Sequence, residues 1–298
     1  MLCEEGIGVL ELFVDRIIEK KLELYGINIK QEGRLVGSHN FIPRVRHPIY
    51  SATKSFTSTA VGLAIEEKLL SPEDEILKYL EEDLPEDIPT ETKNNLAKLT
   101  IKRLLTMSVP GYPFRPEGED WLSFALSVPL SHVEREAFHY SNIPAYLVGV
   151  IVEKAVKQNL MDYLKPRLFE PLGITEPSCS FCPGGHFYGA SGMSLTVEEL
   201  SRLGQLYLQQ GEWNGKQLLS PTWVEEATGK QIETREGGYG YYFWRCPDNG
   251  YLISGKWGQR CYVFPEKKLV ITYMGNLQDN HDSEYVSKSM YETIYDKC

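Results

Sequence analysis

The chain has 298 residues, of which 42% are apolar and 24% charged, a composition typical of a globular protein with a sizeable core. Its formal charge of −10 gives no reason to expect binding to nucleic acid or anionic lipid, and a small-molecule substrate is more natural. No apolar run reaches the roughly 18 residues of a membrane span, and the start of the sequence does not look like a signal peptide. The expected location is therefore the cytoplasm, with an exported native form as the alternative.

The six cysteines are scattered, which is typical of free thiols. Cys179 and Cys182, with His186 nearby, resemble half of a zinc site, but a second pair at similar spacing is missing from the sequence. We therefore expect neither a metal nor another cofactor. His132, His139 and His186 have no evident acidic partner in the sequence, and none is assigned a catalytic role.

The chain begins with a predicted helix and a β-hairpin. Residues 9–24 place Leu10, Phe13, Ile17 and Leu24 on one stripe at helical spacing. The run LYGINIK then alternates apolar and polar residues, turns at 32–33 and returns through RLVGS.

Helices dominate the middle of the chain. Ser71 and Pro72 predict a helix start in SPEDEILKYL, and Thr100 predicts another in LTIKRLLTMS. Apolar spacing indicates two more helices, near 144–158 and around 200–206.

The end of the chain returns to strands. Strand-like runs separated by turns at 247–250 and 265–268 fill residues 239–275, and a helix is expected over 283–297. Two amino-terminal and three carboxyl-terminal strands predict an α+β protein with one five-stranded antiparallel sheet flanked by helices. Its domains would be a sheet domain of residues 1–50 and 230–298 and a mainly helical insert of residues 51–229, with the active site at their junction.

Ser51 and Lys54 form the first candidate for chemistry. Residues three apart on a helix face the same side, so the Lys54 amine can reach the Ser51 hydroxyl and accept its proton. The helix that follows is rich in apolar and small residues, and burial there would lower the lysine pKa toward use as a base. The spacing alone is weak evidence, because about one such pair is expected by chance in a chain of this size.

Tyr140 and Asn142 are the next candidates. Pro144 indicates a helix start, so the two side chains would lie on the same side of an extended entry to that helix. The phenol is suited to proton relay and the amide to holding a substrate carbonyl or the lysine. The alternative is that Ser141 or Asn142 simply caps the helix.

The combination of SATK at 51–54 and YSN at 140–142 resembles the serine beta-lactamase and penicillin-binding-protein family. The similarity is greatest to the branch with class C beta-lactamases, D-alanyl-D-alanine carboxypeptidases, family VIII esterases and 6-aminohexanoate-dimer hydrolases. The segments LTIKRLLTMS, YSNIPAYLVGVIVEKAV, YLKPRLFEPLGI and residues 189–228 also look like family stretches. The resemblance spans nearly the whole chain after the first helix.

This resemblance implies a beta-lactamase/transpeptidase-like fold and acyl transfer through a covalent acyl-serine. Ser51 would be the nucleophile, Lys54 its base, Tyr140 the proton relay and Asn142 a substrate contact. The oxyanion hole would combine the backbone amide of Ser51 with an amide on the strand of the third family box.

The third box departs from the family pattern of Lys-Thr-Gly or His-x-Gly. Alignment on Gly258 and Gln259 leaves Ile253-Ser254-Gly255 at the box, without the usual cation. Ser254, Gly255, Lys256 and Gln259 are the predicted substrate contacts there, and Lys256 supplies a charge only if the turn directs it into the cleft. A charge-assisted hydrogen bond to a substrate carboxylate contributes about 1.5–3 kcal/mol, so its loss would disfavour anionic substrates.

These observations favour a serine hydrolase acting on a small ester or amide. Two alternatives stay open: a beta-lactamase or D-alanyl-D-alanine carboxypeptidase that uses Lys256, and a ligand-binding protein of the same fold without turnover. In each case the partner is a small ester, amide or beta-lactam-like molecule.

Overall fold

A helix and a β-hairpin form the amino-terminal part of the structure, a computed structural model that describes residues 5–298. The elements are α1 (Glu5–Glu19), β1 (Leu24–Gln31) and β2 (Arg34–Asn40). The predicted helix over 9–24 is therefore too long: Lys21 takes a φ of 54° beyond its end, and Leu24 is the first residue of β1.

A six-stranded antiparallel sheet organises the fold, with one strand more than predicted. Its carboxyl-terminal strands are β7 (Trp244–Arg245), β8 (Tyr251–Gly255), β9 (Gln259–Phe264) and β10 (Leu269–Gly275). The strand order is β2-β1-β10-β9-β8-β7, so both chain ends contribute neighbouring strands. The extra strand is the edge strand β7, which begins only at Trp244 because Tyr242 takes a φ of 67° and its carbonyl accepts a hydrogen bond from the Ser55 hydroxyl at 2.9 Å.

Helices and short strand pairs fill the segment between the two halves of the sheet. They are β3 (His47–Pro48), α2 (Thr53–Glu66), α3 (Leu77–Leu80), α4 (Thr90–Leu96), α5 (Ile101–Leu105), α6 (Trp121–Ser127), α7 (Asn142–Val156), α8 (Leu160–Leu164), β4 (Ser194–Leu195), α9 (Val197–Leu208), β5 (Glu212–Trp213), β6 (Lys216–Gln217) and α10 (Pro221–Thr228). The chain closes with α11 (Asn280–Thr293). Within the described residues, none of the helices is long and apolar enough to cross a bilayer.

The predicted caps of the middle helices have different outcomes. Thr100 caps α5, because its hydroxyl accepts a hydrogen bond from the Arg103 backbone N–H. Ser71 does not start a helix: its backbone N–H donates to the Asp74 carboxylate at 2.8 Å, and this local turn delays α3 until Leu77.

Two layers of helices cover the sheet. On one face, α1 and α11 bury Phe13, Ile17 and Met290 against Ile29 and Ile271. On the other face, α9 packs on β1, β9 and β10. Helix α9 falls within the proposed helical insert in sequence but belongs to the sheet layer in space.

Helix α2 is the central helix of the second core. Its residues 53–64 are all buried, and α7 packs alongside it. Such a helix is stabilised by its complete removal from water, so polar side chains along it require partners. The polar residues at its start are therefore the natural place to look for a functional site.

Gly204 tests the packing of α9 on the sheet. A Cβ at this position would lie 2.4 Å from the Cys261 sulfur, so Gly204→Ala should destabilise the protein by about 1–3 kcal/mol through overpacking. Gly8→Ala in α1 is the matched control, since a Cβ there meets nothing within 4 Å and should stabilise its helix by about 0.5–1 kcal/mol. Urea denaturation measures both effects, and equal stabilities of the two variants would contradict the packing of α9.

Candidate active site

A cavity of about 350 Å³ lies where the start of α2, the start of α7 and the edge of the sheet meet. Six of the predicted site residues line it, three from the helical side and three from the sheet side. The lining residues are Tyr50, Ser51, Phe114, Tyr140, Asn142, Ser191, Trp244, Ser254, Gly255, Lys256 and Arg260. The structure thus brings together residues that are up to 210 positions apart in the chain, from Tyr50 to Arg260.

Ser51 lies in a tight helical turn, residues 50–52, that leads directly into α2. Tyr50 before it has a φ of 48°, a strained backbone conformation for a bulky residue, which directs Ser51 toward the cavity. The end of β8 approaches this turn so closely that a Cβ on Gly255 would lie 2.1 Å from the Ile49 carbonyl oxygen. Only glycine fits at that point of the edge strand.

The Lys54 amine has three hydrogen-bond acceptors. It donates to the Ser51 hydroxyl oxygen at 3.1 Å, to Asn142 Oδ1 at 2.6 Å and to the Ala190 carbonyl at 2.8 Å. The residue is 1% exposed, and burial lowers the pKa of its amine to about 7. The direction of this shift agrees with the expectation from the apolar surroundings, and the role of Lys54 as a base stays a prediction.

The three partners define the direction in which this amine can accept a proton. A neutral amine has two N–H groups and one lone pair, and an amide oxygen and a backbone carbonyl can only accept hydrogen bonds. These two acceptors occupy the N–H groups, which leaves the lone pair facing the Ser51 hydroxyl. The arrangement suits removal of the hydroxyl proton.

Asn142 and Ser141 divide the two predicted roles between them. Ser141 caps α7, since its hydroxyl accepts a hydrogen bond from the Ile143 backbone N–H at 3.2 Å. Asn142, the first residue of α7, instead holds Lys54 through Oδ1 and donates from Nδ2 to the Tyr188 hydroxyl at 3.0 Å. These two contacts fix the orientation of the amide.

Tyr140 closes the cavity over the lysine. The Lys54 nitrogen lies 4.9 Å from the centre of the Tyr140 ring, and the ring stacks on Trp244 at a centroid distance of 5.7 Å. Burial raises the pKa of the Tyr140 phenol to about 12, with partial opposition from the neighbouring Ser51 hydroxyl. The phenol therefore stays protonated at neutral pH, and its ring faces a charge that forms on Lys54.

The four predicted contacts of the third box separate into two groups. Ser254, Gly255 and Lys256 line the cavity, and the Lys256 ammonium lies 4.2 Å from the centre of the Trp257 ring. Gln259 is 0% exposed, and its amide donates to the backbone carbonyls of residues 256, 257 and 275. Gln259 thus holds the turn between β8 and β9 from behind, and we correct its predicted substrate contact.

Arg260 is a cavity residue that sequence reasoning missed. It pairs with Ser254 across β8 and β9, and its guanidinium donates to the Gly255 carbonyl and, at 3.1 Å, to the Gln259 carbonyl. A cation therefore lies beside the third box, supplied by the neighbouring strand. The available signal was the three-residue turn 256–258 between β8 and β9, because a hairpin with this turn places residue 260 opposite residue 254.

Segment 186–190 forms the remaining wall around Lys54 and was also missed. It supplies the Ala190 carbonyl, the Tyr188 hydroxyl and the Gly189 carbonyl, which accepts a hydrogen bond from Thr57 at 2.7 Å. His186 has an acidic partner after all: its Nδ1 lies 2.6 Å from Glu153 Oε2. In the described part of the chain, no group of three His, Cys, Asp or Glu side chains is placed to bind a metal.

The comparison with protein families identifies the family to which the chain belongs. The sequence profile of the beta-lactamase family matches residues 30–290. The chain belongs to this family, and its fold is beta-lactamase/transpeptidase-like. The fold is thus that of a family of serine hydrolases.

Solved structures show the same fold at low sequence identity. A Bacillus anthracis protein provisionally assigned as a 6-aminohexanoate-dimer hydrolase superposes with a TM-score of 0.77 at 19% identity, over 94% of this chain and 80% of that one. A class C beta-lactamase from Rhodobacter sphaeroides gives 0.76 at 15% identity, over 97% and 98%. The octameric penicillin-binding protein homologue from Pyrococcus abyssi gives 0.70 at 21% identity, over 96% and 76%.

A curated relative matches only part of the chain. Protein flp of Staphylococcus aureus strain N315 is 26% identical over 147 residues, which are 46% of this chain and 28% of that relative. The match covers less than a third of the relative's own length, so it does not transfer an activity.

The pH dependence of Ser51 reactivity tests the role of the buried amine. Because the pKa of Lys54 is lowered to about 7, the rate of reaction with a fluorophosphonate should rise with pH through about 7 and then level off. Lys54→Arg, which keeps the charge but cannot lose it, should lower the rate by about 10²–10⁴-fold at every pH. A wild-type rate that is flat from pH 5.5 to 9 would contradict the assignment.

Proposed function

We propose that this protein is a serine hydrolase that forms an acyl-enzyme on Ser51 with a small ester or amide and then hydrolyses it. The observation that carries the proposal is the set of contacts around the Lys54 amine. The Asn142 amide oxygen and the Ala190 carbonyl accept hydrogen bonds from its two N–H groups, and its remaining position faces the Ser51 hydroxyl. The nucleophile, base and relay roles are supported by this geometry and by the family resemblance.

In the proposed acylation step, the Ser51 oxygen bonds to the substrate carbonyl carbon while its proton passes to the Lys54 nitrogen. The carbonyl oxygen becomes an oxyanion at the start of α2, where backbone N–H groups and the helix dipole stabilise negative charge. The charge that forms on Lys54 faces the Tyr140 ring at 4.9 Å. The Tyr140 phenol then donates a proton to the leaving heteroatom as its bond to carbon breaks, and takes a proton back from Lys54.

Deacylation reverses the roles with water in place of the leaving group. Lys54 and Tyr140 together remove a proton from the attacking water, the carbon–Oγ bond breaks, and Ser51 recovers its proton. The products are a carboxylic acid and an alcohol or amine. No metal or cofactor is required by this sequence of steps, since each proton has a protein acceptor.

The walls of the cavity favour a compact substrate with an apolar part. Tyr50, Phe114, Tyr140 and Trp244 surround Ser51 with aromatic surface, which suits short-chain esters and amides. The half-buried Ser254 hydroxyl and the edge of β8 can orient the substrate by hydrogen bonds.

Arg260 supports the second candidate, a beta-lactamase or D-alanyl-D-alanine carboxypeptidase. The argument against these activities was the missing cation of the third box, and Arg260 and Lys256 both line the cavity beside Ser254. A guanidinium is suited to a planar carboxylate, so a substrate with a terminal carboxylate has a partner here.

Ser51→Ala decides between turnover and simple binding. The wild-type protein should hydrolyse a short-chain nitrophenyl ester and take up a fluorophosphonate label, and Ser51→Ala should do neither. Ser55→Ala is the matched control, because Ser55 lies one turn further along α2 with its hydroxyl on the Tyr242 carbonyl. Wild-type protein that neither turns over an ester or a chromogenic cephalosporin nor takes up the label would leave the ligand-binding alternative.

Arg260→Gln separates the two substrate classes. If anionic substrates are used, this change should lower kcat/KM for a chromogenic cephalosporin by about ten- to a hundredfold and leave that for a neutral ester within about twofold. Lys256→Gln, at the exposed rim, should have a smaller effect. Equal losses on both substrates would rule out a carboxylate contact by Arg260.

A further inference from the structure

The segment that covers the Lys54 amine is attached at one buried carboxylate outside the cavity. Glu153 lies near the end of α7, about three turns from Asn142, and is 7% exposed. Its Oε1 accepts hydrogen bonds from the Phe187 backbone N–H at 3.2 Å, the Leu160 backbone N–H at 3.0 Å and Asn159 Nδ2 at 3.1 Å. A buried carboxylate with this many donors is a fixed anchor, since a mobile one would lose several of them.

The other carboxylate oxygen holds the start of the same segment. Glu153 Oε2 lies 2.6 Å from His186 Nδ1, so both His186 and Phe187 are tied to α7. The next residues run along α7 toward its start, where the Tyr188 hydroxyl accepts from Asn142. The anchor and the lysine contact are therefore at opposite ends of one five-residue segment.

Close packing makes this segment a rigid link between the anchor and the lysine. The position of a Cβ on Gly149 lies 3.6 Å from the Gly189 Cα, and a Cβ on Gly189 would lie 2.8 Å from the Ala145 carbonyl oxygen. On the side of α2, the Thr57 hydroxyl donates to the Gly189 carbonyl and Lys54 donates to the Ala190 carbonyl. The segment lies between the two helices with no room for a side chain at Gly189.

We propose that Glu153 is a positioning residue, which holds segment 186–190 between α2 and α7 so that this segment covers the Lys54 amine and presents the Ala190 carbonyl to it. The proposal rests on the proposed function, because it assigns the carboxylate a role in setting the reactivity of Ser51. Glu153 acts at a distance and touches neither the cavity nor the substrate.

Weakening the contacts of Glu153 should raise the pKa of the Lys54 amine. Burial is what lowers the pKa of Lys54, so water that enters past a loosened segment should raise that pKa toward the ordinary lysine value of 10.5. Burial raises the pKa of the two phenols beside this cluster, Tyr140 and Tyr188, so both keep their protons between pH 5.5 and 9. The charged group on the sheet side of the cavity is the Arg260 guanidinium. An upward shift of about one unit lowers the neutral fraction of the amine at pH 7 about fivefold.

Glu153→Gln and Glu199→Gln form a matched pair of variants. Glu199 is 8% exposed, accepts from the Thr196 backbone N–H and pairs with Arg46 at 2.6 Å, but it belongs to α9. The rate of fluorophosphonate reaction is measured from pH 5.5 to 9 for both variants, together with hydrogen–deuterium exchange of peptides that cover 186–190. E153Q should move the midpoint of the rate profile up by about one unit and speed exchange in this segment by about tenfold or more, whereas E199Q should do neither.

A milder variant protects the test against misfolding. His186→Gln removes the imidazole and leaves the Glu153 contacts with the backbone, so it should give smaller shifts in the same direction. If E153Q does not fold, the rate profile and the hydrogen–deuterium exchange of H186Q test the proposal instead. A folded variant with the wild-type midpoint and wild-type exchange would overturn the proposal. If wild-type protein does not react with the phosphonate at all, the proposed function fails, and exchange alone decides whether Glu153 holds the segment.

Discussion

Burial of the Lys54 amine is the constraint on which the rest of the structure depends. An ammonium group removed from water is stable only if its N–H groups are satisfied, and its partners come from the turn before α2, the start of α7 and segment 186–190. The unfolded chain binds more protons at this lysine than the folded chain between pH 7 and 10.5. The group therefore destabilises the fold at neutral pH, and this destabilisation decreases as the pH rises through that window.

The surrounding fold is shaped to make this burial possible. Tyr50 adopts a φ of 48° beside Ser51, and Gly255 brings the sheet edge against the Ile49 carbonyl. Gly189 brings a loop backbone between two helices. Strained and side-chain-free positions thus collect around one amine, which is the pattern expected where local preferences give way to function. The same crowding keeps water away from the base and leaves the substrate side open.

The parts of the site that follow from local spacing were predictable from the sequence. Ser51 and Lys54 meet because they are three residues apart in helical turns, and Tyr140 and Asn142 flank a helix start that Pro144 marks. The sheet formed from both chain ends followed from alternation and turns. The count of five strands was one too low, because β7 is only two residues long and follows Tyr242, whose φ of 67° interrupts the extended run.

What the sequence concealed depends on backbone atoms and on contacts between distant elements. The Ala190 carbonyl carries no residue signature, since every residue has one. Arg260 was hidden because its neighbour Ser254 lies on another strand, and Gln259 was misplaced because strand alternation sends adjacent residues to opposite faces. The helix expected at Ser71 does not form there, because the Asp74 carboxylate accepts a hydrogen bond from the Ser71 backbone N–H and stabilises a local turn. Residue spacing alone does not show which of these two structures is more stable.

The most direct test of this account is an NMR titration of the Lys54 side chain in protein with labelled lysine, assigned by comparison with Lys54→Arg. The account predicts a midpoint near pH 7, set by burial. A midpoint near the ordinary lysine value of 10.5 in the folded protein would contradict it, because the amine would then carry a proton at neutral pH and could not accept one from Ser51.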